Sequence, residues 1–556
     1  MSIDTRHRLT EFFTPGTGEK AGFLRARYAG GDLVPATEGA LFPGTADPAV
    51  TGLCYDSRRV KPGNLFFALR GLHADGHRFI ADAVDRGASV IVHEEELPAY
   101  KDGVIYIQVG NSRFAMSAVA DAFYGFPSRR LVVVGVTGTE GKSTTVYLIY
   151  QLLKALGRKA GFISTVQYGD GTGEQWNPEH QTTPEAPRVH ELLAAMLQNG
   201  AAFAVVEASS HGLSRRTNRL GDVIFDVGVM TNVTHEHLEF HGSWEQYRSD
   251  KAELFRALDR PPPVHLKLEV KTRGREAPEK ISIPAFGVVN ADDPSAPFFA
   301  GATRHKTYRY SSKGGDADLS IRIIESGEGG NWYEVLEAAS GESLIIRDRL
   351  PGAFNTGNVL AALLTVSRLL SIPVRELAPL VPFLKPLRGR MTPVKKGQDF
   401  EVLVDYAHTP SSFMAILPPL RERIGEGRII CLFGSPGERE TKKRSEQGRI
   451  AAEYCDIIIL CDEDPRGEDS MAILEEIASG ITGRAAKKRG ETLFLIPGRP
   501  QGIRRAFSLA KKGDLVLLLG KGHENSIIYR DHTMPYDEIG EAEKALDELA
   551  EAGLSP

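Results

Sequence analysis

The run GVTGTEGKSTT, Gly135 to Thr145, constrains this chain more than any other stretch of it. It follows the apolar segment LVVVGV that opens at Leu131. It precedes Val146, Ile149, Leu152, Leu153 and Leu156, which recur at helical spacing before a stop at Gly157. A strand, a glycine-rich turn and a helix in that order form an anion site. Gly138 and Gly141 let the backbone wrap closely, and backbone N–H groups at the helix N-terminus face the phosphates. Lys142 supplies a point charge, and the Ser143 hydroxyl is placed to ligate Mg²⁺, with Thr139 and Thr144 completing the loop. A strict Gly-x4-Gly-Lys-Ser pattern would need glycine at 136, where Val136 stands, so the loop is a Gly-Thr-x-Gly-Lys-Ser variant. A kinase, a GTPase, a transport ATPase and a ligase could all own such a loop.

The chain has 556 residues, too many for one hydrophobic core, so two to four domains are expected. Its formal net charge of -5 argues against a nucleic-acid partner. The four cysteines show no CxxC spacing and read as reduced core residues of a cytosolic protein. Met1 to Phe13 is polar, with no signal-peptide core, and runs such as Ile457–Leu460 and Leu515–Leu519 are too short to span a bilayer. A cytoplasmic, monomeric protein is expected.

Three blocks emerge: 1–130, 131–386 and 387–556. The first mixes short apolar runs with Gly/Asp/Arg turns. The second holds the phosphate loop, strand candidates at 202–206 and 225–230, a Pro-rich charged insertion at 258–283 and a helix at about 356–371. A Pro-punctuated link follows, with hinge motion expected near Pro382–Leu387. The third alternates strand candidates (401–405, 428–433, 456–460, 493–497, 515–520) with helical stretches, as in a doubly wound parallel sheet. The fold class is therefore α/β, with a central P-loop domain and a Rossmann-like C-terminal domain.

Glu207 ends an apolar strand and begins EASSHGL. Beside a phosphate loop its carboxylate is a good Mg²⁺ ligand, because hard cations prefer carboxylate oxygen. TNVTHEHLEFHGSWEQYRSDKAELF, 231–255, gathers His235, His237 and His241 without the HExxH spacing of a zinc protease.

The pattern T-N-x-T-x-x-H-L-x-x-H-G followed by a lysine before an apolar pair resembles the Mur ligase superfamily, and EASSHGL is close to its MurE form. The resemblance covers nearly the whole chain. It implies an ATP-dependent ligase that adds a diamino acid to UDP-N-acetylmuramoyl-L-alanyl-D-glutamate through an acyl phosphate, in peptidoglycan synthesis. It implies a second Mg²⁺ served by His237 and by Lys251, the latter carboxylated by CO₂. Partial burial that lowers the lysine pKa would help that reaction. By the same resemblance the N-terminal block is a UDP-binding α/β domain, in which YDSRRVKPGN and HADGH place Ser57, His73 and Ala74 at the UDP moiety. QTTPE offers Thr182 and Thr183, and EASSHGL offers Ser209, to the muramoyl dipeptide. A family arginine follows, matched best by Arg219, with Arg216 as the alternative.

On the nucleotide side the resemblance implies Asn232, Asn355, Asn358, Arg390, Asp405 and His408. On the acceptor side it implies Arg439 as the grip on the α-carboxylate, with Glu463, Asp464 and Arg466 in the EDPR loop and Gly520 and Glu524 in GKGHE. Glu463 and Asp464 replace the family's Asp and Asn. Arg466 suits the far carboxylate of meso-diaminopimelate, whereas Asp464 could welcome the ammonium of L-lysine or L-ornithine. Diaminopimelate is favoured. His211 or a nearby carboxylate is the candidate proton acceptor for the attacking amine. The competing readings are another Mur ligase, a folylpolyglutamate synthase-like ligase, or an ATP-binding regulatory module without ligase activity. A switch would need no carboxylate grip such as Arg439, Arg466 and Glu524 provide.

Overall fold

The computed structural model describes residues 7–9, 24–27, 34–35, 48–71, 74–177, 181–234, 238–260, 268–270, 279–281, 284–327, 330–439, 441–483 and 486–551. His73 and His237 lie outside the described residues. Three large sheets succeed one another along the chain, each with parallel strands at its heart.

The first sheet contains β1 (Leu24–Arg27), β2 (Val34–Pro35), β3 (Gly52–Cys54), β4 (Asn64–Phe67), β5 (Val90–His93) and β6 (Ile105–Val109), in the order β2-β1-β6-β5-β4-β3. Strands β3 to β6 are mutually parallel, and β1 runs antiparallel to β6.

The second sheet has eleven strands. They are β7 (Val132–Thr137), β8 (Ala160–Ile163), β9 (Gln167–Gly169), β10 (Glu174–Trp176), β11 (Phe203–Glu207), β12 (Val227–Met230), β13 (Phe286–Asn290), β14 (Thr307–Ser311), β15 (Leu319–Gly327), β16 (Gly330–Glu337) and β17 (Glu342–Asp348). Their order is β10-β9-β8-β11-β7-β12-β13-β14-β15-β16-β17. The middle seven are parallel, and antiparallel hairpins extend both edges. Those hairpins were not legible beforehand. In β16 buried and half-buried residues alternate, the pattern of a strand with one face covered.

All six residues of β7 are buried, as a strand covered on both faces requires. Val132, Val134 and Val136 pack on one side with α1 (Lys142–Ala155) and α3 (Asn355–Leu370). Leu131 and Val133 pack on the other with α2 (Trp244–Ala257). Helix α3 is buried nearly all round; only Gly357, Arg368 and Leu370 escape. It is the core helix on which α1 rests, and no single helix among the described residues is long and apolar enough to cross a membrane.

The link after α3 is tied to α1. The Gln151 side chain donates to Lys385 O at 3.0 Å and accepts from Lys385 N at 2.9 Å. The third sheet holds β18 (Thr392–Pro393), β19 (Glu401–Asp405), β20 (Ile429–Phe433), β21 (Ile457–Leu460), β22 (Leu493–Leu495) and β23 (Leu515–Leu519), in the order β18-β19-β23-β20-β21-β22. All are parallel except β18. Within the Pro-rich insertion, Leu268–Val270 pairs antiparallel with Glu279–Ile281. All four cysteines are buried free thiols.

Because α3 supports α1 from behind, its core contacts govern the central sheet. Leu363→Ala, at a fully buried position, should destabilise the protein by roughly 2–5 kcal/mol. A lower urea midpoint with an unchanged slope is the expected result.

Candidate active site

Parallel strands end together, so the loops after them share one edge of the sheet. In the central sheet that edge gathers the loop after β7, the Glu207–Ser210 segment after β11 and the Thr231–Thr234 segment after β12.

The phosphate loop is held on the β12 side. Thr139 N donates to Asn232 O at 2.8 Å, and Glu140 N donates to Asn232 Oδ1 at 2.8 Å. Asn232 Nδ2 and Thr231 Oγ1 both donate to Glu140 O, at 3.1 and 2.6 Å. Thr139 Oγ1 lies 3.0 Å from the Tyr247 hydroxyl of α2 and accepts from Thr234 N at 2.9 Å. Gly141 has φ +81°, and a Cβ there would lie 2.4 Å from Asn358 Oδ1. Asn358 also accepts from Thr145 Oγ1 at 3.2 Å and donates to Asn355 Oδ1 at 3.0 Å. Asn232, Asn355 and Asn358 thus brace the loop from two sides. Lys142 Nζ donates to Thr139 O at 2.7 Å, and Ser143 is buried at the first turn of α1 beside Thr144.

Glu207 is buried, and its Oε2 accepts from Thr165 N at 2.8 Å, which orients the carboxylate. Lys251 is 2 % exposed; its Nζ donates to Gly138 O at 2.5 Å and lies 4.5 Å from the centre of the Tyr247 ring. Ser143 and Glu207 are hard oxygen donors of the kind Mg²⁺ selects. Among the described residues no three carboxylate, histidine or cysteine side chains form a ready-made metal cage.

A second cluster lies beside Glu207. Thr183 Oγ1 donates to Glu207 O at 3.0 Å and lies 2.9 Å from Ser209 Oγ. Arg219 donates to Thr183 O at 2.9 Å and pairs with Glu185 at 3.0 Å, while Arg113 of the N-terminal block reaches Glu185 at 3.4 Å. Thr182 is adjacent. Arg216 instead stacks on Phe240 and donates to Phe240 O, so the geometry groups Arg219, not Arg216, with Thr183 and Ser209. His211 packs 4.1 Å from the Phe240 ring. In the N-terminal sheet, Ser57 follows β3 and Ala74 follows β4, again at a carboxyl edge; Ser57 is buried and Ala74 exposed.

In the third sheet Asp405 ends β19. Its oxygens accept from Met391 N and Ala407 N, both at 2.7 Å, so it pins the linker turn. Burial raises its pKa, against the Arg390 charge and these amides. Arg390 stacks on Tyr406 at 4.7 Å, and His408 Nδ1 lies 2.8 Å from Tyr406 O. Tyr406 donates to Glu524 Oε1 at 3.2 Å.

Beyond it lies a charged cluster. Lys521, fully buried, donates to Asp464 Oδ1 at 2.9 Å and to Glu524 Oε2 at 2.5 Å. Burial alone would lower its pKa, but the Glu524 and Asp464 carboxylates outweigh that and raise it. Glu463 is also buried. Its Oε2 has no hydrogen-bond partner among the described residues, and desolvation pushes its pKa up to about 7 despite Lys443 nearby. A Cβ on Gly520, at φ +102°, would lie 3.0 Å from that oxygen. Arg466, at φ +55°, leaves its Nε buried without a partner. Arg439 is exposed, on a loop whose Gly437 N donates to Asp464 O at 2.8 Å. Tyr247, Thr231, Glu185 and Lys521 were missed in the sequence; only the position of Lys521 inside GKGHE hinted at it.

A phosphate loop at one sheet edge and a charged cluster on a second doubly wound sheet are the parts of a nucleotide-dependent enzyme, and comparison with known proteins makes it an ATP-dependent ligase. Models of three Mur ligase segments match the chain: the family's catalytic domain at 49–124, the middle domain at 136–266 and 275–366, and the glutamate ligase domain at 389–522. The UDP-N-acetylmuramyl-tripeptide synthetase of Treponema denticola is 50% identical over 513 residues, covering 88% of this chain and 93% of its own. The UDP-N-acetylmuramoyl-L-alanyl-D-glutamate–2,6-diaminopimelate ligase of Geobacillus thermodenitrificans is 35% identical, covering 90% and 96%. A solved structure of a ligase of that second name aligns with TM-score 0.57 and 26% identity over 91% of this chain and 97% of its own. The chain belongs to the Mur ligase family, among its UDP-N-acetylmuramyl-tripeptide synthetases, the MurE ligases.

The loop geometry makes a direct prediction. Gly141→Ala adds both a strained φ and a collision with Asn358, so ATP affinity should fall on the order of 10²-fold. Calorimetric titration of ATP checks this, and unchanged affinity would count against the loop's role.

Proposed function

We propose that this enzyme joins a diamino acid to the D-glutamyl carboxylate of UDP-N-acetylmuramoyl-L-alanyl-D-glutamate, in the cytoplasm and as a monomer. The supporting observation is the adjacency of the phosphate loop and the Thr183–Ser209–Arg219 cluster at the ends of neighbouring strands β7 and β11. A carboxylate held by that cluster would lie beside the terminal phosphate of ATP. We assign residues 1–130 to the UDP moiety through Ser57, His73 and Ala74, 131–386 to ATP, and 387–556 to the acceptor.

In the first step the carboxylate oxygen attacks the γ-phosphorus and the bond to ADP breaks, leaving an acyl phosphate. The acceptor's neutral amine then attacks the acyl carbon, and phosphate departs from the tetrahedral intermediate. Lys142 must leave Thr139 O to reach the phosphates, a swing its flexible stem allows. Asn232, Asn355 and Asn358 keep the loop N–H groups aimed at the nucleotide; Arg390 and His408 approach it from the third sheet. Ser143 and Glu207 would hold one Mg²⁺, and His237 with carbamylated Lys251 a second. When bound, Mg²⁺ offsets the repulsion between the two anions. His211 lies near enough to the Glu207 segment to be a candidate acceptor for the amine's proton.

The carbamate requires Lys251 Nζ to attack CO₂, forming an N–C bond and releasing a proton. Its present hydrogen bond to Gly138 O places that nitrogen directly against the phosphate loop. Lys251→Ala should be nearly inactive, with partial rescue by a short carboxylic acid that occupies the vacated anion position. Lys251→Arg should not recover, since its cation cannot ligate Mg²⁺. Wild-type turnover by Lys251→Arg would refute the carbamate.

For the acceptor, Arg439 is assigned to the α-carboxylate. The distal end of meso-diaminopimelate carries both a carboxylate and an ammonium. Arg466, with its unpartnered Nε, and Glu463, with its unpartnered Oε2, match those two charges, whereas lysine and ornithine match only the second. Asp464 and Glu524 are already engaged by Lys521. Diaminopimelate is therefore the favoured substrate, with discrimination on the order of 10²-fold. Measuring kcat/KM for diaminopimelate, lysine and ornithine in wild type and Arg466→Ala checks this. A wild-type preference for lysine or ornithine that survives the loss of Arg466 would overturn it.

A further inference from the structure

We propose that Arg499 is a positioning residue for the amino-acid acceptor: its guanidinium sets the spacing of the two loops, 462–466 and 520–524, from which the acceptor pocket is built. This rests on the acceptor reading above.

Arg499 is the first residue of α4 (Arg499–Leu509) and has no exposed surface. Each N–H of its guanidinium has a partner. Nε donates to Glu538 Oε2 at 2.8 Å, and Nη2 donates to Glu538 Oε1 at 2.6 Å and to Leu519 O at 2.7 Å. Nη1 donates to Asp462 O at 3.2 Å and to Cys461 Sγ at 3.6 Å. Glu538, the first residue of α5 (Glu538–Glu551), is equally buried and accepts a further bond from the Tyr536 hydroxyl at 2.6 Å.

The two carbonyls are what give the arrangement a consequence for function. Leu519 is the last residue of β23, immediately before Gly520 and Lys521. Asp462 stands immediately before Glu463 and Asp464. Strands β21 and β23 are not neighbours, because β20 lies between them, so no ladder hydrogen bond pairs these two loops directly. The planar guanidinium spans that gap by donating to Asp462 O and Leu519 O, and Lys521 bridges the same two loops through Asp464. A fork with fixed N–H directions can set such a spacing, whereas an ammonium on a flexible stem cannot.

A fold-only role predicts lost stability with every substrate affected alike. A positioning role predicts a selective effect on the acceptor. The test measures KM for ATP, for the UDP-muramoyl dipeptide and for whichever of diaminopimelate, lysine or ornithine the wild type turns over. In full-length Arg499→Lys the acceptor KM should rise about tenfold, with the other two within about twofold, for loss of charge-assisted bonds to the loop carbonyls. Tyr536→Phe, which keeps the ion pair and removes one bond, should raise the acceptor KM by about two- to threefold and decides the matter by the same selectivity if Arg499→Lys does not fold. An unchanged acceptor KM, or an equal rise in all three, would overturn the inference. Failure of the wild type to turn over any of the three amino acids would instead strike the functional reading beneath it.

Discussion

The shape of the phosphate loop depends on its hydrogen bonds to the segment that follows β12. Both backbone groups of Glu140 are taken by the Asn232 side chain, and Thr139 N is taken by Asn232 O. A loop this deep cannot leave its polar groups unpaired without a large cost. They are paired with the segment after β12, and an anion is the fitting partner for the N–H groups at the start of α1. The arrangement is sensitive to register, because a one-residue slip of β12 would turn its side chains to the opposite face of the sheet. The observed register pairs Val227 with Val134 and Met230 with Thr137.

The same loop is joined to the rest of the site through α2. Tyr247 meets Thr139, and Lys251, one helical turn later, meets Gly138. Asp250 points elsewhere, to His241 Nδ1 at 2.7 Å, while His241 Nε2 lies 3.1 Å from Ser210 Oγ. That buried chain ties α2 to the segment carrying Glu207 and Ser209. The nucleotide side of the central domain and its substrate side are therefore braced by one helix.

Charge is handled differently in the third sheet. There the carboxylates outnumber the buried cation: Glu463, Asp464 and Glu524 surround Lys521. Two of the three pair with its single charge, and the third, Glu463, is pushed towards protonation by desolvation. A buried carboxylate without a direct ion pair is costly, and the nearby Lys443 and Lys521 charges offset only part of that cost.

Local pattern alone determined a good deal about this protein. Buried parallel strands write themselves as unbroken apolar runs, so β7, β19 and β23 stood out, as did the phosphate loop between β7 and α1. Motif resemblance supplied most of the candidate site residues. The edge hairpins β15 to β17 stayed hidden because a face that is only partly covered breaks the apolar run. Motif matching already favoured Arg219 over Arg216, and the tertiary structure shows what each contacts: Arg219 donates to Thr183 O, whereas the turn after Ser214 directs Arg216 to Phe240. Only the tertiary structure brought Arg499 into hydrogen bonds with Asp462 and Leu519, residues that are distant in sequence. Contacts between distant segments leave no periodicity in a single sequence, since they arise from the order in which strands assemble into a sheet.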